Sequence, residues 1–297
     1  METPPICDYE GSDYQATFWE HGERDYEDAV EAVALRRLLP PGGQRMLELG
    51  AGAGRNTARY TGFEQVTLLD YSRSQLEQAH QRLGENPHYR YVVANIYHLP
   101  FTPGLFDAAT LIRTLHHLSE PRRALEQIRT ALQPGASFIL EFANKQNLKA
   151  ILRFALRQQS WNPFSPEPIE FAPLNYDFHP ATVRAWLRSS GFAIQRQLSV
   201  SHLRMGFLKR ALPLRWLVAW DSLFQWTGEF WQYTPSIFIC SRAMGTLPGL
   251  ATPGSFFRCP ACGQELPDTP PLITCESCGQ KYPVEGGIYD FRITAYE

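Results

Sequence analysis

No stretch of this sequence is apolar for long enough to cross a bilayer. The most apolar segment, Trp216 to Phe224, is interrupted by Asp221, and a spanning helix needs about 20 apolar residues. A basic, then apolar leader is also missing. The first thirty residues instead carry Glu2, Asp8, Glu10, Asp13, Glu20, Glu23, Asp25, Glu27 and Asp28, and a secretory signal starts with basic charge. The expectation is a cytoplasmic protein without a transmembrane segment. Net charge is nearly absent, at -2, so the whole chain gives no electrostatic argument for nucleic acid. Internal repeats and low-complexity tracts are lacking. Cysteine is scarce outside one cluster, and the isolated Cys7 and Cys240 read as small buried thiols. What remains is 44% hydrophobic and 20% charged residues, the balance of a folded domain.

Residues 26–39 carry apolar side chains at helical spacing, and Pro40, Pro41, Gly42 and Gly43 stop that helix. Short apolar strands follow at 46–49, 66–70, 89–93, 106–112 and 137–142. They alternate with helices expected from about Arg55, over 74–83 and over 121–132. Further strands are read at 192–200 and 236–243. Such alternation predicts an α/β doubly wound, mostly parallel seven-stranded sheet, here with a small additional metal-binding ribbon. Domain bounds are read as 1–245 for the α/β unit, with insertions over 143–234, a Gly/Pro linker at 246–255 and the ribbon at 256–297.

The turn after the first strand, LELGAGAGRNT (47–57), holds Gly50, Gly52 and Gly54. Glycines here let a backbone approach a ligand closely. The dinucleotide fingerprint needs glycine at its first, third and sixth positions. The sixth position counted from Gly50 is Arg55, and from Gly52 it is Thr57, so that fingerprint is excluded. An acidic residue two positions before G-x-G-x-G, here Glu48, resembles instead the first motif of class I S-adenosylmethionine-dependent methyltransferases. Asp70 ends the second strand. NIYHLPF (95–101), FDAATLIRTLHHL (106–118) and ALQPGASFIL (131–140) are similar to three later motifs of the same group, in the same order. Together they cover about residues 14–142 and resemble the type 11 methyltransferases, with Asn95 where that group usually has Asp.

The resemblance implies S-adenosyl-L-methionine as cofactor, bound by Glu48, Gly50, Gly52, Gly54, Asp70, Tyr71, Asn95, Ile96, Ile112 and Arg113. Asp70 would accept ribose hydroxyls, and Asn95 and Ile96 would lie beside adenine. The lesser readings are Glu48 as a partner of the following helix dipole and Asp70 as a turn cap. The segment 13–27, with Tyr14, Trp19 and Arg24, resembles a lid over the cofactor; simple packing is the other reading. His116 and His117 are the candidates for a general base, or they shape the turn after the fourth strand.

The acceptor is less legible. No Asn-Pro-Pro-aromatic and no Pro-Cys sequence is present, which removes two familiar chemistries on exocyclic amines and pyrimidine carbons. Residues 145–215 hold eleven Lys or Arg against three acidic residues, a basic face that could meet RNA phosphates or an anionic membrane surface, or simply be solvated. Trp216, Trp220 and Phe224 fall on one helical stripe, as core, as a lipid-binding face or as the roof of a substrate pocket. A small or amphipathic acceptor is expected, with RNA as the alternative and a non-catalytic cofactor-binding scaffold as the third reading.

Cys259, Cys262, Cys275 and Cys278 form C-x2-C-x12-C-x2-C. Paired knuckles of this spacing predict tetrahedral thiolate binding of a structural Zn2+. YPVEGGIYDF (282–291) resembles the small zinc-ribbon proteins that activate methyltransferases as separate subunits. Here the ribbon is fused, which points to a role within the same chain or to a generic stabilising ribbon.

Overall fold

The computed structural model describes residues 4–12, 24–246 and 254–293. Helix α1 (Asp25–Leu38) precedes β1 (Gly43–Leu49), β2 (Phe63–Asp70), α2 (Arg73–Leu83), β3 (Tyr89–Val93), β4 (Phe106–Leu111), α3 (Pro121–Ala131) and β5 (Leu132–Ala143). Next come α4 (Leu148–Ala155), a small hairpin of β6 (Ile169–Ala172) and β7 (Asn175–Asp177), α5 (Pro180–Ser189), β8 (Phe192–Val200), α6 (Gly206–Ala211), α7 (Leu214–Phe224) and β9 (Ser236–Ala243). The ribbon contributes β10 (Phe257–Arg258), β11 (Glu265–Leu266), β12 (Leu272–Thr274), β13 (Lys281–Glu285) and β14 (Ile288–Asp290).

The seven expected strands lie side by side in the order β3-β2-β1-β4-β5-β9-β8. Pairing is parallel from β3 to β5 and antiparallel on both sides of β9. Central strands read as apolar runs because both faces are covered, and Met46, Leu47, Leu49, Val66, Leu68 and Leu111 are all buried. Two antiparallel steps make β8 parallel to β5. The carboxyl ends of β1, β2, β3, β4, β5 and β8, and the start of β9, therefore share one edge of the sheet, where open α/β sheets bind ligands.

The seven-stranded sheet is present as expected, and among the described residues the ribbon extends it to ten strands, because β14 pairs in parallel with β3, and β13 and β12 continue outward. An uncovered β3 would present a row of unpaired main-chain groups, and the ribbon covers it. The helix expected from Arg55 is a single 3-10 turn, Thr57–Arg59. Only thirteen residues join β1 to β2, and the glycine loop uses the first five. The remainder is too short for a helical crossover, which usually takes a dozen residues or more. Its close return is set by Gly42 and Gly62: a Cβ on Gly62 would lie 2.2 Å from the Pro41 carbonyl oxygen.

Candidate functional site

The three glycines of the first turn do different work. Gly50 (φ +66°) lies so close to β4 that a Cβ there would meet Thr114 Oγ1 at 2.0 Å. Gly52 (φ +51°) faces open space, with only Gln75 Oε1 near, at 3.9 Å. Gly54 packs the loop on α2, where a Cβ would lie 3.2 Å from Ala79 Cβ. Asp70, at the end of β2, holds the loop: its Oδ2 accepts from Gly52 N at 2.8 Å and its Oδ1 from Ser72 N at 3.0 Å. Burial raises its pKa, opposed by these N–H donors. Each carboxylate oxygen has a second lone pair, so Asp70 retains acceptor capacity toward the cavity it lines.

That cavity opens at the carboxyl ends of β1, β2 and β4. Of the residues singled out by the sequence, Glu48, Gly50, Gly52, Asp70 and Tyr71 line it from the first two strands. Ile96, Ile112, Arg113 and His117 line it from beyond β3 and β4. Gly54, Asn95, His116 and Arg24 are not among its lining residues. Asn95 Oδ1 accepts from Tyr97 N at 2.9 Å, so its side chain shapes the turn while Ala94 and Ile96 face inward. Arg24 lies 3.6 Å from Glu27. Tyr14 and Trp19 lie outside the described residues. Among the described residues ahead of α1, Ile6, Cys7 and Tyr9 form part of the wall.

His117 is engaged at both nitrogens. Nδ1 is 3.0 Å from the Leu174 carbonyl and Nε2 is 3.0 Å from Tyr9 Oη. A carbonyl only accepts, so Nδ1 carries the proton and Nε2 receives the Tyr9 O–H. Burial lowers the pKa of both His117 and His116, the latter well below the ordinary value. For His117 to take a proton from an acceptor, the Tyr9 hydrogen bond at Nε2 would have to open. His116 lies in the same 3-10 turn, Leu115–His117.

The polar end of the cavity rests on a buried charge network that the motifs did not indicate. Glu31 of α1 is fully buried and receives Arg55 Nη2 at 2.9 Å and Arg113 Nε at 2.8 Å, with Arg113 Nη2 also in contact. Asp28 receives Arg59 at 2.6 Å and also contacts Arg55. Arg113 takes φ +57°, rare for a side-chain-bearing residue, and its N–H donates to Glu141 Oε2 at 2.9 Å. Glu141 Oε1 accepts from Ser236 Oγ. The strained Arg113 is thus fixed from both sides. Glu48 Oε2 accepts from Thr57 Oγ1 at 2.6 Å, and burial pushes the Glu48 carboxyl up to about 7. Glu27 and Glu31, spaced i and i+4 on the apolar stripe of α1, were the available sequence signal for a buried network.

The four ribbon sulfurs lie within 4.8 Å of one another. Cys259 and Cys278 Sγ are 3.6 Å apart, and Cys262 and Cys275 Sγ 3.5 Å. A tetrahedron with Zn–S near 2.3 Å has edges of about 3.8 Å, so the donor set fits such an ion. Both knuckles close alike: Gly263 N and Gly279 N each reach the first cysteine's carbonyl at 2.8 Å. The ribbon is tied to β3 through Arg90, which pairs with Asp268 at 2.7 Å and lies over Phe256, Phe257 and Tyr289. Arg292 extends the tie to the cavity, over the ring of Tyr71 and 4.0 Å from Glu10. The stripe of Trp216, Trp220 and Phe224 is neither core nor roof: all three are 45–50% exposed and none lines the cavity.

Residues 47–140 match a family model described as a methyltransferase domain. Over 183 residues the chain is 28% identical to a demethylmenaquinone methyltransferase of Clavibacter sepedonicus, covering 56% of this chain and 73% of that protein. It is 30% identical over 149 residues to an O-methyltransferase of Penicillium expansum, covering 46% of this chain and 52% of that one. Among solved structures, the chain resembles one from the complex between the Haloferax volcanii Trm112 methyltransferase activator and the putative methyltransferase. There the TM-score is 0.55 at 17% identity, over 78% of this chain and 96% of that chain.

Proposed function

We propose that this chain, whose residues 47–140 are a class I S-adenosylmethionine-dependent methyltransferase domain, transfers a methyl group to a small or amphipathic acceptor such as a quinone-type or phenolic ring. The observation that carries the reading is the cavity bounded by an open Gly52 and by Asp70 at one edge of a parallel sheet. Its residues suit the cofactor. Asp70 offers carboxylate lone pairs to ribose hydroxyls, and Ala94 with Ile96 form an apolar wall suited to adenine. Glu48, Gly50, Gly52, Ile112 and Arg113 surround the part suited to the methionine group. When bound, the sulfonium supplies an activated methyl group. The chain's own task is then to align the acceptor and exclude water.

The acceptor class is supported by the Clavibacter relative, named for a quinone substrate, and by the O-methyltransferase relative. Cys259, Cys262, Cys275 and Cys278 hold one structural zinc ion, since four protein ligands leave no open position for chemistry.

The test is methyl transfer from labelled S-adenosylmethionine in a lysate of cells lacking the protein, fractionated into RNA, protein, lipid and small molecules. Label in the lipid or small-molecule fraction is expected. Label in one defined RNA position overturns the acceptor class. Cofactor binding with no label in any fraction favours a scaffold instead.

A further inference from the structure

Sixteen of the nineteen large apolar side chains exposed among the described residues fall between Leu148 and Tyr233. They belong to two segments that leave the same sheet edge, residues 144–179 after β5 and residues 201–235 after β8. That is also the edge at which the cavity opens. The segments are joined: Leu148 N donates to the Tyr233 carbonyl at 2.8 Å, and Asn144 Nδ2 to the Gln232 and Thr234 carbonyls.

On α4 only Ala150 is buried. Leu148 and Leu152 lie along it, and Leu156 caps it, as one exposed stripe at i, i+4 and i+8. Lys149, Arg153 and Arg157 form an exposed stripe one position on. On α7, Leu217 and Asp221 turn inward, while Trp216, Trp220 and Leu223 are 45–69% exposed. Trp226, Phe230 and Trp231 continue the apolar surface, and Phe207 with Arg210 adds to it from α6. Four of the chain's seven tryptophans are therefore exposed on this face. Exposed carboxylates in these segments are confined to Glu167, Glu170 and Glu229; none occurs between Glu141 and Glu167, and Asp221 is fully buried.

We propose that this face docks on an anionic lipid bilayer, with the cavity edge turned toward the membrane. That the acceptor then reaches the cavity from the lipid phase rests on the acceptor class argued above; the docking does not. Large apolar patches mark interaction sites, and the composition selects the occupant. Trp belongs to membrane interfaces, and alternating apolar and basic stripes are the pattern of helices lying in the headgroup region. RNA would use the basic side chains but gives no partner to Leu148, Leu152, Phe207, Trp216 or Leu223.

Flotation of the full chain with phosphatidylcholine vesicles, with and without phosphatidylglycerol, tests this without cofactor or acceptor, so it stands or falls apart from the acceptor class. The wild type is expected to float with the anionic vesicles, with a blue shift of tryptophan fluorescence. Lys149→Ala with Arg153→Ala should weaken partitioning by roughly fivefold per charge removed. Trp216→Ser with Trp220→Ser should weaken it by at least about tenfold, at an unchanged thermal melt because both side chains are exposed. Three results overturn the proposal: no flotation of the wild type, flotation that neither double variant reduces, or a wild-type dimer that Trp216→Ser with Trp220→Ser converts to monomer in place of lipid binding. Preferential binding of single-stranded RNA that anionic vesicles do not displace also overturns it.

Discussion

Glu48 was legible as an acidic residue ahead of three glycines, but its protonation was not. A buried carboxylate is stabilised in its neutral form, and here burial pushes the carboxyl up to about 7 against the opposing hydrogen bonds from Thr57 and Tyr60. A glutamate whose folded pKa exceeds its unfolded value binds its proton more tightly when folded. Its contribution to stability is therefore greatest at low pH and declines between about 4.3 and about 7. The same group makes binding pH-dependent. A cationic sulfonium favours the ionised carboxylate, so affinity for S-adenosylmethionine should rise between about pH 6 and about pH 8. The uncharged product, S-adenosylhomocysteine, should gain less. Calorimetry at several pH values checks this: Glu48→Gln should flatten the difference between the two ligands, and an unchanged pH profile in that variant would contradict the assignment. His117 shows the opposite case. Its place after β4 suggested a base, yet Tyr9, 108 residues away in sequence, occupies the lone pair, and no local pattern announces that contact.

Among elements, strands were the most legible because buried parallel strands are continuous apolar runs, as in VTLLD and FDAATLI. The connection after the glycine loop was not, because the loop motif invites a helix that the short return to β2 leaves no room for. Helix α1 was legible as a helix and not as part of the site. Its Glu31 is fully buried between Arg55 and Arg113. Removing one partner of a buried ion pair strands the others, at about 3–5 kcal/mol. Glu31→Ala should therefore destabilise the fold by that amount in denaturant titrations. Breaking the exposed Arg122–Glu126 pair with Glu126→Ala should cost under about 1 kcal/mol. Equal costs for the two variants would remove the network from the account. Glu31→Ala should also weaken cofactor binding, since Arg113 lines the cavity and loses its anchor.

At the scale of the whole molecule, the cysteine spacing announced the ribbon, but nothing in the sequence said where it sits. Edge pairing depends on main-chain groups that every residue shares, so the register of β14 on β3 leaves no side-chain signature; the junction is marked by contacts distant in sequence, Arg90 among Phe256, Phe257 and Tyr289 and Arg73 beside Glu285. Because the ribbon completes the sheet, stripping one equivalent of zinc with a chelator should lower the melting temperature of the entire protein in a single calorimetric transition. Two separate transitions, the upper one unmoved by chelation, would make the ribbon an independent appendage. The central claim is the cofactor cavity, and titration calorimetry of S-adenosylmethionine into wild type, Asp70→Ala and Gly52→Val tests it most directly. Asp70→Ala should cost about 1.5–3 kcal/mol, the worth of hydrogen bonds to a charged group. Gly52→Val, placing a branched side chain where only open space now lies, should abolish binding. A wild type that binds, with both variants binding equally well, would contradict it.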